Sequence, residues 1–269
     1  MSRSGATMPI GYRFATKKVL DDSPNPADSG CMSLKNARVL VIGGTSGIGL
    51  GVAVAAAERG AVPIVVSRHQ SSVDRAMSQL PEHARGATVD LTDLPAVERL
   101  AADIGDIEHL VFTAGESLEL APLADLTPEV ITALLQTRFV GALTAVRVFA
   151  PRITAGGSIT LTSGTAAEQP GFGALPVSVC GAMNALTKAL AFELAPIRVN
   201  AVAPGVVRTP LWDAMSEADR QSMYEQAAQQ LPLGRIGDVA DTARAYLYCM
   251  EQEFGTGVVL TVDGGTVLV

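Results

Sequence analysis

Val39-Leu40-Val41-Ile42-Gly43-Gly44-Thr45-Ser46-Gly47-Ile48-Gly49 decides the fold. Four consecutive apolar residues read as a strand buried on both faces. The glycines that follow let the chain turn sharply and approach a ligand with no Cβ in the way. From Leu50 to Arg59 the sequence reads as a helix. A strand, a glycine turn and a helix start aim backbone N–H groups and the positive end of a helix dipole at a phosphate. Gly43-x-x-x-Gly47-x-Gly49 has the strand before it and the helix after it, which separates a phosphate loop from a bare glycine turn.

Moving outward, Ala61–Val66 is the expected second strand. In a dinucleotide site an acidic residue near the end of this strand usually holds the ribose 2′-OH. Here the end reads Ser67-Arg68-His69. A serine stands where the acid would be, and Arg68 offers paired donors suited to a 2′-phosphate. The expected cofactor is therefore NADP(H) rather than NAD(H).

Further strands are read at Ala87–Thr88–Val89 with its exit at Asp90–Asp93, at Glu108–Phe112, Gly157–Thr162, Ile197–Ala203 and Val258–Val262. Helical patterns lie between them at Leu94–Ile104, Thr127–Ala150 and Ala182–Ala195. This alternation predicts an α/β fold: one Rossmann-type, doubly wound parallel sheet of about seven strands with helices on both faces. The stretch Pro210–Gln230 reads as a loop over the substrate, with Trp212, Met215 and Met223 suggesting an apolar ligand and Tyr224 within reach.

The 269 residues suffice for one large domain. Aromatic residues are 4% against 48% hydrophobic, so Ala, Val and Leu must fill the core. A net charge of −7 with no basic run argues against nucleic acid as a partner and leaves a small molecule. Cys31, Cys180 and Cys249 share no CxxC spacing, which fits a reduced, cytoplasmic chain. No apolar run is read as approaching the roughly 18 residues that a membrane helix needs. His69, His83 and His109 are scattered, so no metal site is expected. Residues 1–31 include Asp21–Gly30, which cannot build a core, and are expected to be a disordered extension of a 32–269 domain.

From about Leu34 onward these motifs, in this order, resemble the short-chain dehydrogenase/reductase superfamily. The glycine turn, with Gly43, Thr45, Ser46, Gly47 and Ile48, resembles its cofactor loop. Asp90-Leu91 matches the pair that contacts adenine, and Thr113-Ala114-Gly115 the Asn-Ala-Gly turn with its first residue changed. Arg198-Val199-Asn200 and Pro204-Gly205 match the sixth strand and the turn beneath the nicotinamide. Val207 and Thr209 fall where the family holds carboxamide and phosphate, and Leu233-Gly234-Arg235 and Val262-Asp263-Gly264-Gly265 match its C-terminal signature. The resemblance also implies a homodimer or homotetramer.

The departures fall on the chemistry. The family uses Asn, Ser, Tyr and Lys: tyrosine as acid or base, lysine to lower its pKa and hold the ribose, serine to orient substrate, asparagine to hold a water. Aligned on Leu186–Ala191, this chain keeps Ser163, but Pro176 takes the tyrosine position, Cys180 the lysine position and Arg138 the asparagine position. Proline carries no side-chain proton, and Cys180 is at best a weak donor. Arg138 cannot give up its proton near neutral pH but can stabilise negative charge. Ser163 is expected to donate a hydrogen bond to substrate. Three readings follow: an oxidoreductase with a rewired proton path acting on a small apolar carbonyl, imine or enone; a non-redox cyclase or isomerase with the cofactor as scaffold; and an inactive cofactor-binding protein or partner subunit.

Overall fold

Seven strands, most of them apolar and rich in Val and Ile, each find a parallel neighbour. They are β1 (Arg38–Ile42), β2 (Val62–Ser67), β3 (Arg85–Thr88), β4 (Ile107–Phe112), β5 (Ile153–Thr162), β6 (Arg198–Pro204) and β7 (Val259–Val262). The computed structural model describes residues 33–115 and 121–269, so the extension expected at 1–31 lies outside the described residues. The sheet order is β3-β2-β1-β4-β5-β6-β7, all parallel. The chain turns back at the boundary between β1 and β4. That is the switch point at which such sheets open a crevice beyond the C-terminal strand ends.

Alternation within the strands explains why both faces are covered. Leu40, Ile42, Leu110, Phe112, Ile159 and Leu161 face one side. There they pack on α3 (Leu94–Ile104), α5 (Gly141–Phe149) and α6 (Ala174–Glu193). Val39, Val41, Val65, Val111 and Val202 face the other side, against α1 (Gly47–Glu58), α2 (Gln70–Met77) and α8 (Val239–Glu251). Small residues let the helices sit close. A Cβ on Gly51 of α1 would collide with the Val239 side chain of α8.

Several boundaries differ from the sequence reading. Helix α1 starts at Gly47, because the turn glycines themselves form its first turn. Strand β3 runs Arg85–Thr88 and stops before Val89. Helix α6 begins at Ala174 rather than Ala182, since Pro176 sits in its first turn, where a missing N–H costs no intrahelical bond. The segment read as a substrate loop contains a helix, α7 (Glu217–Gln230), capped by Ser216, whose hydroxyl accepts from Asp219 N at 3.1 Å. By length and composition, 128–152 and 174–193 are each apolar enough to cross a membrane, contrary to the sequence reading. Polar and charged residues, Arg138 and Arg147 in the first and Asn184 and Lys188 in the second, break both into apolar runs shorter than 18 residues. Both segments pack on the sheet through α5 and α6.

Candidate active site

One cleft of about 500 Å³ opens at the switch point, along the C-terminal ends of the strands. The cofactor and catalytic positions singled out in the sequence line it: Gly43 and Thr45–Ile48 of the glycine turn, Ser67, Arg68, Asp90, Leu91, Thr113–Gly115, Arg138, Ser163, Pro176, Cys180, Pro204, Gly205, Val207 and Thr209. Met215 and Met223 do not line it, and neither does Tyr224. Tyr224 lies on α7, buried with Trp212, Leu231 and Ile236, its ring under the Arg208 guanidinium at 4.7 Å.

At one end, the first turn of α1 is left open to a ligand. Its N-cap, Ser46, makes no side-chain cap, and its first turn carries no acid. Gly43 has φ +84°, and a Cβ there would lie 2.5 Å from Ala114 N. Only glycine allows the β1–α1 turn to press against the end of β4. Thr113 seals this contact, its hydroxyl donating to Ile42 O at 3.1 Å.

Beyond β2, Arg68 stands beside Asp90. The Asp90 carboxyl accepts from Thr92 N at 2.9 Å and from the Thr92 hydroxyl at 2.7 Å. These bonds, with a smaller contribution from the Arg68 charge, hold it below the usual carboxylate range. Asp90 is thus pinned to its own turn beside a cation.

At the other end, Arg138 lies on a single π turn, Gln136–Val140, set between α4 (Pro128–Leu135) and α5 in one continuous helix. Such bulges redirect side chains and recur at functional sites. Gly115 makes room for it, since a Cβ there would sit 2.8 Å from the Arg138 Cζ. Cys180 lies opposite, where burial pushes its thiol up and the Arg138 charge pulls the other way. It is therefore a neutral thiol near pH 7 and not a thiolate. Ser163 faces the cleft from the end of β5, but its hydroxyl donates backward, to Asn184 Oδ1 at 2.6 Å and to Cys180 O at 3.1 Å.

Among the described residues lining the cleft there is no tyrosine and no lysine. The whole sequence has four tyrosines, and none is followed four residues later by lysine. Sequence reasoning missed Asn184, although it stands one helical turn past Cys180 on the same face, a spacing that could have found it. The role of Trp212 is also different from that of a ligand contact alone: its indole N–H donates to Val207 O at 3.0 Å and pins the loop after β6.

The remaining motif residues act as clamps that position the cleft. Arg198 is buried and donates to Cys249 O at 2.7 Å and Met250 O at 2.9 Å, placing its charge at the C-terminal end of α8. Asn200 Nδ2 donates to Gly255 O, and its Oδ1 accepts from Val258 N at 3.0 Å, which aligns β7 on β6. The Asp263 carboxylate accepts from Gly265 N and Val267 N. The turn so formed leaves room only for Gly205, where a Cβ would lie 2.8 Å from the Asp263 Cα. Arg235 pairs with Asp241 at 2.6 Å, in the capping box that starts α8.

The residues present fit a dinucleotide. The uncapped helix start suits a diphosphate. The cation after β2 suits a 2′-phosphate, and the narrow floor at Gly205 admits a flat ring. Chemically, the far end offers a positive charge and a hydroxyl, and of the residues at the altered positions neither Pro176 nor the neutral Cys180 thiol readily releases a proton near neutral pH.

A family model described as enoyl-(acyl carrier protein) reductase matches residues 43–267. The short-chain dehydrogenase/reductase MalC of Malbranchea aurantiaca is 34% identical over 253 residues, covering 87% of this chain and 96% of its own. The structure of MalC, solved as a reductase/Diels-Alderase, matches with a TM-score of 0.79 over 88% of this chain and 98% of that one. A small-chain dehydrogenase solved in complex with NADPH is 32% identical, with a TM-score of 0.73 over 87% of this chain and all of its own. A short-chain oxidoreductase of Pseudomonas aeruginosa PAO1, solved without ligand and containing an atypical catalytic centre, is 28% identical, with a TM-score of 0.78 over 87% of this chain and 98% of its own. With its parallel sheet, glycine turn and clamp residues, the chain belongs to the short-chain dehydrogenase/reductase family of oxidoreductases.

Proposed function

We propose that the chain is an NADP(H)-dependent oxidoreductase with an altered proton path, acting on a small apolar carbonyl, imine or enone. The observation that carries this reading is the continuity of one cleft, from the α1 N-terminus and Arg68 at one end to Arg138 and Ser163 at the other. Similarity to a relative solved with NADPH supports the choice of cofactor. When bound, the reduced nicotinamide supplies a hydride. The N–H groups from Gly47 onward hold the diphosphate, Arg68 the 2′-phosphate, and Pro204, Gly205, Val207 and Thr209 the nicotinamide end.

Arg138 remains charged at every working pH. It stabilises negative charge growing on a substrate oxygen. Pro176 and the neutral Cys180 thiol supply no proton there, so the proton comes from water. An imine that arrives already protonated, or an activated C=C, suits such a site better than a plain ketone. The test is NADPH oxidation across matched ketones, imines and enones. Arg138→Ala is expected to lower kcat by roughly a hundredfold or more on any substrate the wild type accepts, while cofactor affinity is retained. Unchanged turnover would remove Arg138 from the chemistry.

A second reading is favoured by the similarity to MalC, a reductase/Diels-Alderase, together with Pro176 at the position of the proton-donating tyrosine. In it the chain catalyses a cyclisation or isomerisation with the cofactor as scaffold and Arg138 polarising a carbonyl. A product formed equally well with NADP⁺ and with NADPH separates it from the first. Cofactor binding with no turnover of any kind marks an inactive partner subunit. The proposal extends to a homodimer or homotetramer in the cytoplasm. The support for self-association is the incomplete burial of the apolar helices over 128–152 and 174–193, where Leu135, Val140, Leu143 and Phe192 are exposed.

A further inference from the structure

Beyond Ser163 the chain makes two short turns, Thr165–Glu168 and Pro170–Phe172, joined at Gln169. Thr165, Ala166 and Phe172 line the cleft, and Gln169 does not. The end of this wall is loosely packed. Among the described residues, a Cβ on Gly171 would meet nothing within 4 Å, and one on Gly173 only Ala121 O at 3.8 Å. The Gln169 side chain reaches the C-terminal turn instead, where its Nε2 donates to Thr266 O at 3.2 Å. Turning the amide over would set its oxygen against that carbonyl, so its orientation is fixed. Oε1 is then buried, with no hydrogen-bond partner among the described residues. A buried acceptor left unpaired costs at least as much as one neutral hydrogen bond contributes. Stability alone therefore does not favour glutamine here over an apolar side chain of the same length. What the amide supplies is the tie itself.

The turn it reaches is the one against Gly205. Thr266 Oγ1 donates to Asp263 O at 2.7 Å, and a Cβ on Gly205 would lie 3.0 Å from that same oxygen. Gly205 N donates to Val262 O at 3.0 Å, just before the turn. The turn thus supports the cleft floor at Gly205 and is itself held by Gln169. We infer that Gln169 is a positioning residue that ties the cleft wall at residues 165–173 to the floor at Gly205, so that a ring bound on the floor and a substrate lying against the wall are held at one spacing. A ligand that firms the floor then firms the wall as well, through this one hydrogen bond. The tie carries no charge and does not line the cleft, so it acts on spacing and supplies no chemistry. The inference goes beyond the proposed function and rests on it only for the nicotinamide ring that occupies the floor.

The test follows amide hydrogen exchange in the full chain, as wild type and as Gln169→Met, which keeps the side-chain length and removes both polar atoms. Without nucleotide, the variant is expected to exchange about tenfold faster at residues 165–173 and 264–268, a local opening made easier by one lost hydrogen bond. The central strands β1, β4 and β5 are expected to exchange as in the wild type. Saturating NADPH is expected to slow exchange at residues 203–207 in both proteins, and to extend that protection to 165–173 in the wild type alone. Gln169→Asn, polar but one carbon shorter, is expected to match Gln169→Met. A merely structural glutamine would raise exchange over the whole sheet together and leave the spread of protection unchanged. The inference is overturned by wall exchange that Gln169→Met leaves unaltered, by a rise shared with the central strands, or by protection that reaches the wall equally in both proteins. Absence of NADPH binding bears instead on the proposed function, and the nucleotide-free comparison then decides the inference alone.

Discussion

Single residues in this chain are set by what surrounds them more than by what they are. His109 is the clearest case. It is buried in β4, with Nδ1 2.9 Å from the Ser158 hydroxyl. Burial first, and the Arg198 charge second, depress its pKa from 6.5 to about 4. The folded state therefore keeps it neutral while the unfolded chain takes up a proton below pH 6.5. Stability from this source is fully present above pH 6.5 and is lost as pH falls toward 4, by up to about 3 kcal/mol over that window. Thermal melting from pH 7.5 down to 4.5 checks it: His109→Gln is expected to lose less stability on acidification than the wild type, whereas parallel curves contradict the assignment. The same dependence on surroundings limits what a sequence discloses. The glycine turn and Arg68 are legible because backbone freedom and charge belong to the residue itself. The direction of the Ser163 proton is not legible, because it is decided by Asn184 and by a carbonyl on another element.

At the scale of elements, the strands were readable because runs such as Val39–Ile42 are buried on both faces and must be continuously apolar. Helices α2, α7 and α8 escaped the sequence reading. Helix α7 is polar on nearly every face, and only Tyr224 is fully buried within it; it offers little periodicity to detect. This misplacement matters for chemistry, since a tyrosine in a mobile covering loop could deliver a proton and one locked into α7 cannot. Tyr224 packs beneath Arg208 and beside Trp212, away from the cleft lining. Tyr224→Phe is therefore expected to leave NADPH-dependent turnover within about twofold of wild type, because the ring and its packing are kept. A loss of a hundredfold or more would return the tyrosine to the proton path. The π turn that carries Arg138 was likewise invisible, since its residues continue an ordinary helical pattern and the extra residue shows only in the backbone.

For the molecule as a whole, the parallel sheet dictates two helical layers, and one of them remains apolar on its outer side. Gly181 and Ala185 are exposed on α6, and a Cβ on Gly181 would meet nothing within 4 Å. If a second copy covers this face, bulk and charge there must separate the copies. Gly181→Arg is expected to convert the oligomer to a monomer in light scattering while the fold, followed by circular dichroism, is kept; an unchanged mass would place the contact elsewhere. The central proposal concerns the cleft itself: that it takes a nicotinamide dinucleotide bearing a 2′-phosphate, with Arg68 reading that phosphate. The most direct measurement is calorimetric titration of the wild type and of Arg68→Ala with NADPH and NADH. The account predicts that the wild type binds NADPH at least tenfold more tightly than NADH, about 1.4 kcal/mol, and that Arg68→Ala loses this difference. Equal affinities in the wild type, or no binding of either nucleotide, would contradict it.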